Sequence, residues 1–94
     1  MMVTVKFIGA LRYGSGADEL AIDCAEGAPV RELISKIARE FPELKQSLID
    51  SQLEDPRANV LILVNGKEIS ALDGLETKLK DGDKVVLVPV VHGG

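Results

Sequence analysis

The sequence predicts an α+β domain in which one main helix packs on one face of a mixed sheet of four or five strands. Three observations predict it. Apolar residues follow a two-residue period near the start of the chain and form continuous short runs at 60–64 and 85–88; one strong three- and four-residue period lies between them; and Asn-Gly and Asp-Gly pairs punctuate the second half. A helix stripe and a sheet face each need an apolar partner, so each must bury the other.

In order along the chain, "VTVKFIG" alternates Val3, Val5 and Phe7 with Thr4, Lys6 and Ile8, the pattern of a strand with one face in the core. The Gly-rich "RYGSGAD" turns the chain, and "ELAIDC" returns it with Leu20, Ile22 and Cys24 on one face, as an antiparallel hairpin with a long loop. From Pro29 the period becomes helical. Val30, Leu33, Ile34, Ile37, Ala38 and Phe41 share one stripe, Pro29 suits the first helical position and Pro42 disfavours helical geometry at Phe41, so the helix is expected over 29–41. "PELKQSLIDSQ" repeats the pattern more weakly through Leu44, Leu48 and Ile49, a second short helix, and "LEDPRA" reads as a loop.

"NVLILVNGKEIS" carries a third strand, an Asn65-Gly66 tight turn and a short fourth strand. "ALDGLETKLKDGD" is too broken for a long element, although Leu75 and Leu79 can anchor one helical turn; Asp81, Gly82 and Asp83 read as a tight turn rather than as metal ligands. "KVVLVPV" is the last strand, with Pro89 at its end. The first and last strands are expected at the centre of the sheet.

One feature does not fit a sheet with a polar second face. If Val60, Ile62 and Val64 face the helix, Leu61 and Leu63 point away from it; Val86 and Val88 do the same beside Val85 and Leu87, and Ile8 joins them from the first strand. Such a patch is either a partner surface or is covered by the second helical segment or the 70s loop.

Composition narrows the function. Ninety-four residues make one domain, whose core must be built from Val, Leu and Ile because Phe7, Tyr13 and Phe41 are the only aromatics. The lone Cys24, in phase with Leu20 and Ile22, excludes an internal disulfide and reads as a buried hydrophobe. No cluster of Cys and His offers a metal cage. The net charge of −4, with both signs interspersed, provides no basic face for direct nucleic-acid binding. The N-terminal stretch lacks the features of a secretory signal and no run is long enough to span a membrane, so a cytoplasmic, non-membrane protein is expected.

The ending "VVLVPVVHGG" remains. Taken alone, Gly93 and Gly94 read as a frayed terminus; in context the tail leaves directly from an expected central strand, and the two glycines carry no Cβ to block entry into a narrow channel. A carboxylate is a poor electrophile and needs activation, for example as a mixed anhydride with AMP. The activated carbonyl can then accept sulfide to give a thiocarboxylate, or a thiol or amine to give a conjugate. In either case the chain is a co-substrate with no catalytic residues of its own.

The order of elements, "LVNGKEI", "LDGLETKLKDGDKV" and the ending "VVHGG" together resemble the ubiquitin-like β-grasp sulfur carriers, closest to the small subunit of molybdopterin synthase and its archaeal relatives. The resemblance implies a β-grasp domain over residues 1–91 and a flexible tail over 92–94. It implies that Gly94 is adenylated and converted to a thiocarboxylate, with Gly93 as its neighbour in the tail. The implied partners are an E1-like adenylyltransferase that consumes ATP, the large subunit of molybdopterin synthase, and a sulfur donor such as a cysteine desulfurase or rhodanese; no permanently bound cofactor is implied. Ile8 and Val88 fall where that family places apolar contacts with both protein partners, which favours the partner-surface reading of Ile8, Leu61, Leu63, Val86 and Val88. The "PVVHGG" ending, with His92 before the glycines, is also similar to carriers that serve tRNA thiolation and can be attached to lysines.

Overall fold

The computed structural model describes residues 1–45, 48 and 60–90. Five strands, β1 (Met2–Phe7), β2 (Glu19–Asp23), β3 (Val60–Val64), β4 (Lys67–Glu68) and β5 (Lys84–Pro89), form one sheet in the order β2-β1-β5-β3-β4. The first and last strands lie side by side and parallel, while β2 pairs antiparallel with β1 and β3 pairs antiparallel with both β5 and β4. This is the β-grasp arrangement, with β5 at the centre. The two-residue loop between β3 and β4 is Asn65-Gly66, both at positive φ (50° and 85°), the turn geometry that matches strand twist and that these residue types tolerate best.

The main helix, α2 (Val30–Glu40), lies within the expected 29–41: Pro29 is still extended (φ −76°, ψ 159°) and acts as the cap before the helix. Its buried residues Val30, Leu33, Ile34, Ile37 and Ala38 share one core with the inward-facing Val3, Val5, Phe7, Val60, Ile62, Val85 and Leu87. Phe41, just beyond the helix, sets its ring edge-on to Phe7 with centroids 6.2 Å apart. The strap after β4 is held at the N-terminal end of α2, where the Val30 N–H donates to the Thr77 carbonyl and the Leu79 N–H to the Ala28 carbonyl, each at 2.9 Å. Leu79 is fully buried and Leu75 packs on the core from a single 3-10 turn at Gly74–Glu76, the short helical turn expected there.

The loop of the first hairpin contains an element that the period did not reveal: a helix, α1 (Leu11–Ser15), with Leu11 as its one buried residue. It docks on α3 (Pro42–Lys45) through Gly14, where an added Cβ would lie 2.3 Å from Leu44 Cδ2 and 2.7 Å from its Cγ. Leu44 is buried and Leu48 completely so. Ile49 and the "LEDPRA" loop lie outside the described residues. Gly14→Ala gains helix propensity of about 1 kcal/mol but forces a packed leucine aside at about 1–3 kcal/mol, so a net loss on the order of 1 kcal/mol is expected. A urea midpoint equal to or above that of the parent chain would show that Leu44 has room to move.

Candidate functional site

Alternation along the three central strands decides which residues the helix covers. Val60, Ile62 and Val64 of β3, and Val85 and Leu87 of β5, are buried, whereas Leu61, Leu63, Val86, Val88 and Ile8 are each half-buried on the opposite face. Register brings the latter together: Leu61 stands opposite Val88, Leu63 opposite Val86, and Lys6 is Val86's neighbour on β1. Ile8 follows directly, its N–H donating to the Leu87 carbonyl at 3.0 Å beyond the last paired residue of β1. All five apolar residues expected on this face therefore form one patch. Polar side chains border it: Glu68 stands opposite Leu63, and an ion pair of 3.9 Å joins Lys84 to Glu19 on β2. Among the described residues the second helical segment does not lie over the patch; α3 packs against α2 and α1, on the other side of the sheet.

The patch runs to the root of the tail. Pro89, the last residue of β5, pairs with Val60, and Val90 beyond it is 38% exposed. Against Pro89 sits Gly9 at φ +59°, where an added Cβ would approach Pro89 Cγ to 3.2 Å. Positive φ and close approach both favour glycine here, so Gly9 closes the corner after β1 against the strand that carries the tail. Sequence reading did not single it out; the one available signal is a glycine at a strand end next to an apolar run. Arg12, on α1, donates from Nε to the Gly9 carbonyl at 3.2 Å and lies 3.7 Å from Asp18. His92, Gly93 and Gly94 lie outside the described residues.

Other candidates resolve as structural. Cys24 is buried beside a cavity of about 310 Å³ between the end of β2 and α2, lined by Ala28, Glu32, Leu33, Lys36 and Arg39. Burial pushes its thiol pKa up, with nearby Lys36 pulling the other way. A thiol held neutral is a poor nucleophile, which agrees with the reading of Cys24 as a core residue. The exposed Arg31 meets Glu76 through two hydrogen bonds of 2.8 and 3.0 Å, which hold the Glu76 carboxyl below its ordinary range and tie α2 to the strap. Among the described residues no group of His, Cys, Asp and Glu could hold a metal ion, and no helix is long and apolar enough to cross a membrane.

Comparison with known proteins places this geometry. The profile of the ThiS family matches residues 5–94. The small archaeal modifier protein 1 of Methanosarcina acetivorans is 32% identical and superposes with a TM-score of 0.80, over 100% of this chain and 99% of that one. The sulfur carrier protein CysO of Mycobacterium tuberculosis is 30% identical over the full length of both chains. A structure of the complex between subunits 1 and 2 of the molybdopterin-converting factor of Helicobacter pylori contains a chain 31% identical, with a TM-score of 0.63 and complete coverage of both. With a β-grasp sheet, a matched profile that runs through the terminal glycines and full-length likeness to carriers and modifiers, this chain belongs to the ThiS family of ubiquitin-like sulfur carriers and modifiers.

Proposed function

We propose that this chain is a cytoplasmic sulfur carrier that works through the carboxylate of Gly94 and supplies sulfur for molybdopterin synthesis. The observation that carries the reading is the continuity between the open apolar face and the strand from which the tail departs. A partner gripping Ile8, Leu61, Leu63, Val86 and Val88 holds the strand in which the tail is rooted. In the proposed cycle an E1-like adenylyltransferase joins the Gly94 carboxylate to the α-phosphate of ATP, releasing pyrophosphate. A persulfide delivered by a cysteine desulfurase or rhodanese attacks the acyl carbonyl and expels AMP, and a second thiol then reduces the acyl disulfide so formed, releasing the thiocarboxylate and a disulfide. The thiocarboxylate sulfur displaces an oxygen substituent of a pterin precursor in the large synthase subunit, water hydrolyses the resulting thioester, and the carrier leaves with a plain carboxylate. Likeness to a chain in the complex of subunits 1 and 2 of a molybdopterin-converting factor supports the choice of acceptor.

A second reading, covalent attachment through the same terminus to lysines or service to tRNA thiolation, is supported by the similarity to an archaeal modifier and by His92 before the glycines. Intact mass after incubation with ATP, sulfide and the activating enzyme separates these readings from a plain interaction domain. The expected result is exchange of one oxygen for sulfur, localised by fragmentation to Gly94. A terminus that stays unchanged would remove the carrier reading, and isopeptide-linked species in cells would favour the second.

A further inference from the structure

The pole of the sheet opposite Pro89 carries a feature that the carrier cycle does not use. The Asn65-Gly66 turn and the segment leading into β5 lie there, about 17–20 Å from Pro89 along a six-residue strand. They enclose a groove of about 280 Å³ with Val64 and Thr77 at its floor, Leu72 exposed on its wall, and Lys67, Lys78 and Lys80 around it. Its one carboxylate is already engaged. Asp83 accepts from Asn65 Nδ2 at 2.9 Å with one oxygen and from the Lys80 backbone N–H at 2.8 Å with the other. Both donors are neutral, so Asp83 shapes the turn and keeps its charge, leaving three ammonium groups against one carboxylate in the lining.

Among the described residues none of these three ammonium groups meets a carboxylate, whereas Arg12, Arg31 and Lys84 each do. Three ammonium groups and one carboxylate around one exposed leucine give the lining an excess of positive charge, on a chain whose net charge is −4. The groove contains no aromatic residue on which a base could stack, which favours protein over single-stranded nucleic acid as the occupant.

We propose that this groove docks an acidic segment of a partner protein, with carboxylates on Lys67, Lys78 and Lys80 and one aliphatic side chain against Leu72. Because the groove and Pro89, from which the chain continues to the terminus, lie at opposite ends of β5, such a partner stays bound while the terminus works in another active site. Docking does not depend on Gly94, so the idea stands apart from the carrier reading.

The test is an NMR titration of the isotopically labelled full chain with an end-capped oligoglutamate peptide carrying one central leucine. Amide shifts are expected at Asn65, Lys67, Leu72, Thr77, Lys78 and Lys80, and undiminished in a chain lacking Gly93 and Gly94. Each single Lys→Gln change should weaken binding roughly 2- to 5-fold, as exposed ion pairs do. Lys67→Glu, Lys78→Glu and Lys80→Glu together should abolish it with the rest of the spectrum unaltered. Replacing the central leucine of the peptide by serine should also weaken it. Absent shifts, shifts centred elsewhere, undiminished binding by the triple variant, or tighter binding of a single-stranded oligonucleotide at the same amides would each overturn the proposal.

Discussion

A chain extended by one alanine after Gly94 is expected to unfold at the same urea concentration as the parent and to show no mass gain on incubation with ATP, sulfide and the activating enzyme. The extension moves the reactive carboxylate outward by about 3.3–3.6 Å and places a Cβ on the terminal residue. Misplacing a reacting group by 1 Å can cost about 100-fold in rate, so a shift more than three times as large is enough to remove detectable charging. The fold is expected to be indifferent, because among the described residues the sheet ends at Pro89 and the core closes around Val85 and Leu87. If the extended chain is charged at the parent's rate, the chemistry does not reside in the Gly94 carboxylate. If it is uncharged and also unfolds earlier, the tail has a structural role that the sheet does not suggest.

Elements marked by a sustained apolar pattern or by turn residues were legible in the sequence. β1, β3, β5 and α2 sit where their apolar patterns place them, while the two-residue β4 was legible from the Asn65-Gly66 pair and the 3-10 turn at Gly74–Glu76 from Leu75 and Leu79. The open face was legible for the same reason: on β3 and β5 both alternating sets are apolar, and one helix can cover only one of them. By contrast α1 has five residues and one inward side chain, Leu11, too few to mark a helix, and its real anchor is the absence of a side chain at Gly14. The contact of Gly9 with Pro89 was illegible because it joins positions eighty residues apart. The lysine groove was missed for a similar reason. Lys67 lies on the fourth strand while Lys78 and Lys80 precede the fifth, and only folding brings them around Leu72.

The neighbouring residues Leu87 and Val88 provide the sharpest separation of fold from function, since the same chemical change at each should give opposite results. Leu87 is completely buried on the central strand, against α2. Truncation to alanine there is expected to cost about 2–5 kcal/mol, and Leu87→Asp places an unpaired carboxylate in the core at a cost comparable with the whole stability of a small domain, about 5–15 kcal/mol. That variant should be unfolded by circular dichroism. Val88 faces the other way, opposite Leu61 and next to Ile8, where a carboxylate stays in contact with water. Val88→Asp should therefore lose no more than about 1 kcal/mol and keep the parent's spectrum. A charge at the centre of an apolar contact, however, is left desolvated when a partner closes over it, so affinity for the activating enzyme should fall at least 10-fold, read as a rise in the concentration of carrier needed for half-maximal charging. Unfolding of Val88→Asp would put Val88 in the core and remove the open face as a docking surface. A folded Val88→Asp charged as readily as the parent would place recognition elsewhere on the domain, with the corner formed by Gly9 and Pro89 as the next surface to probe.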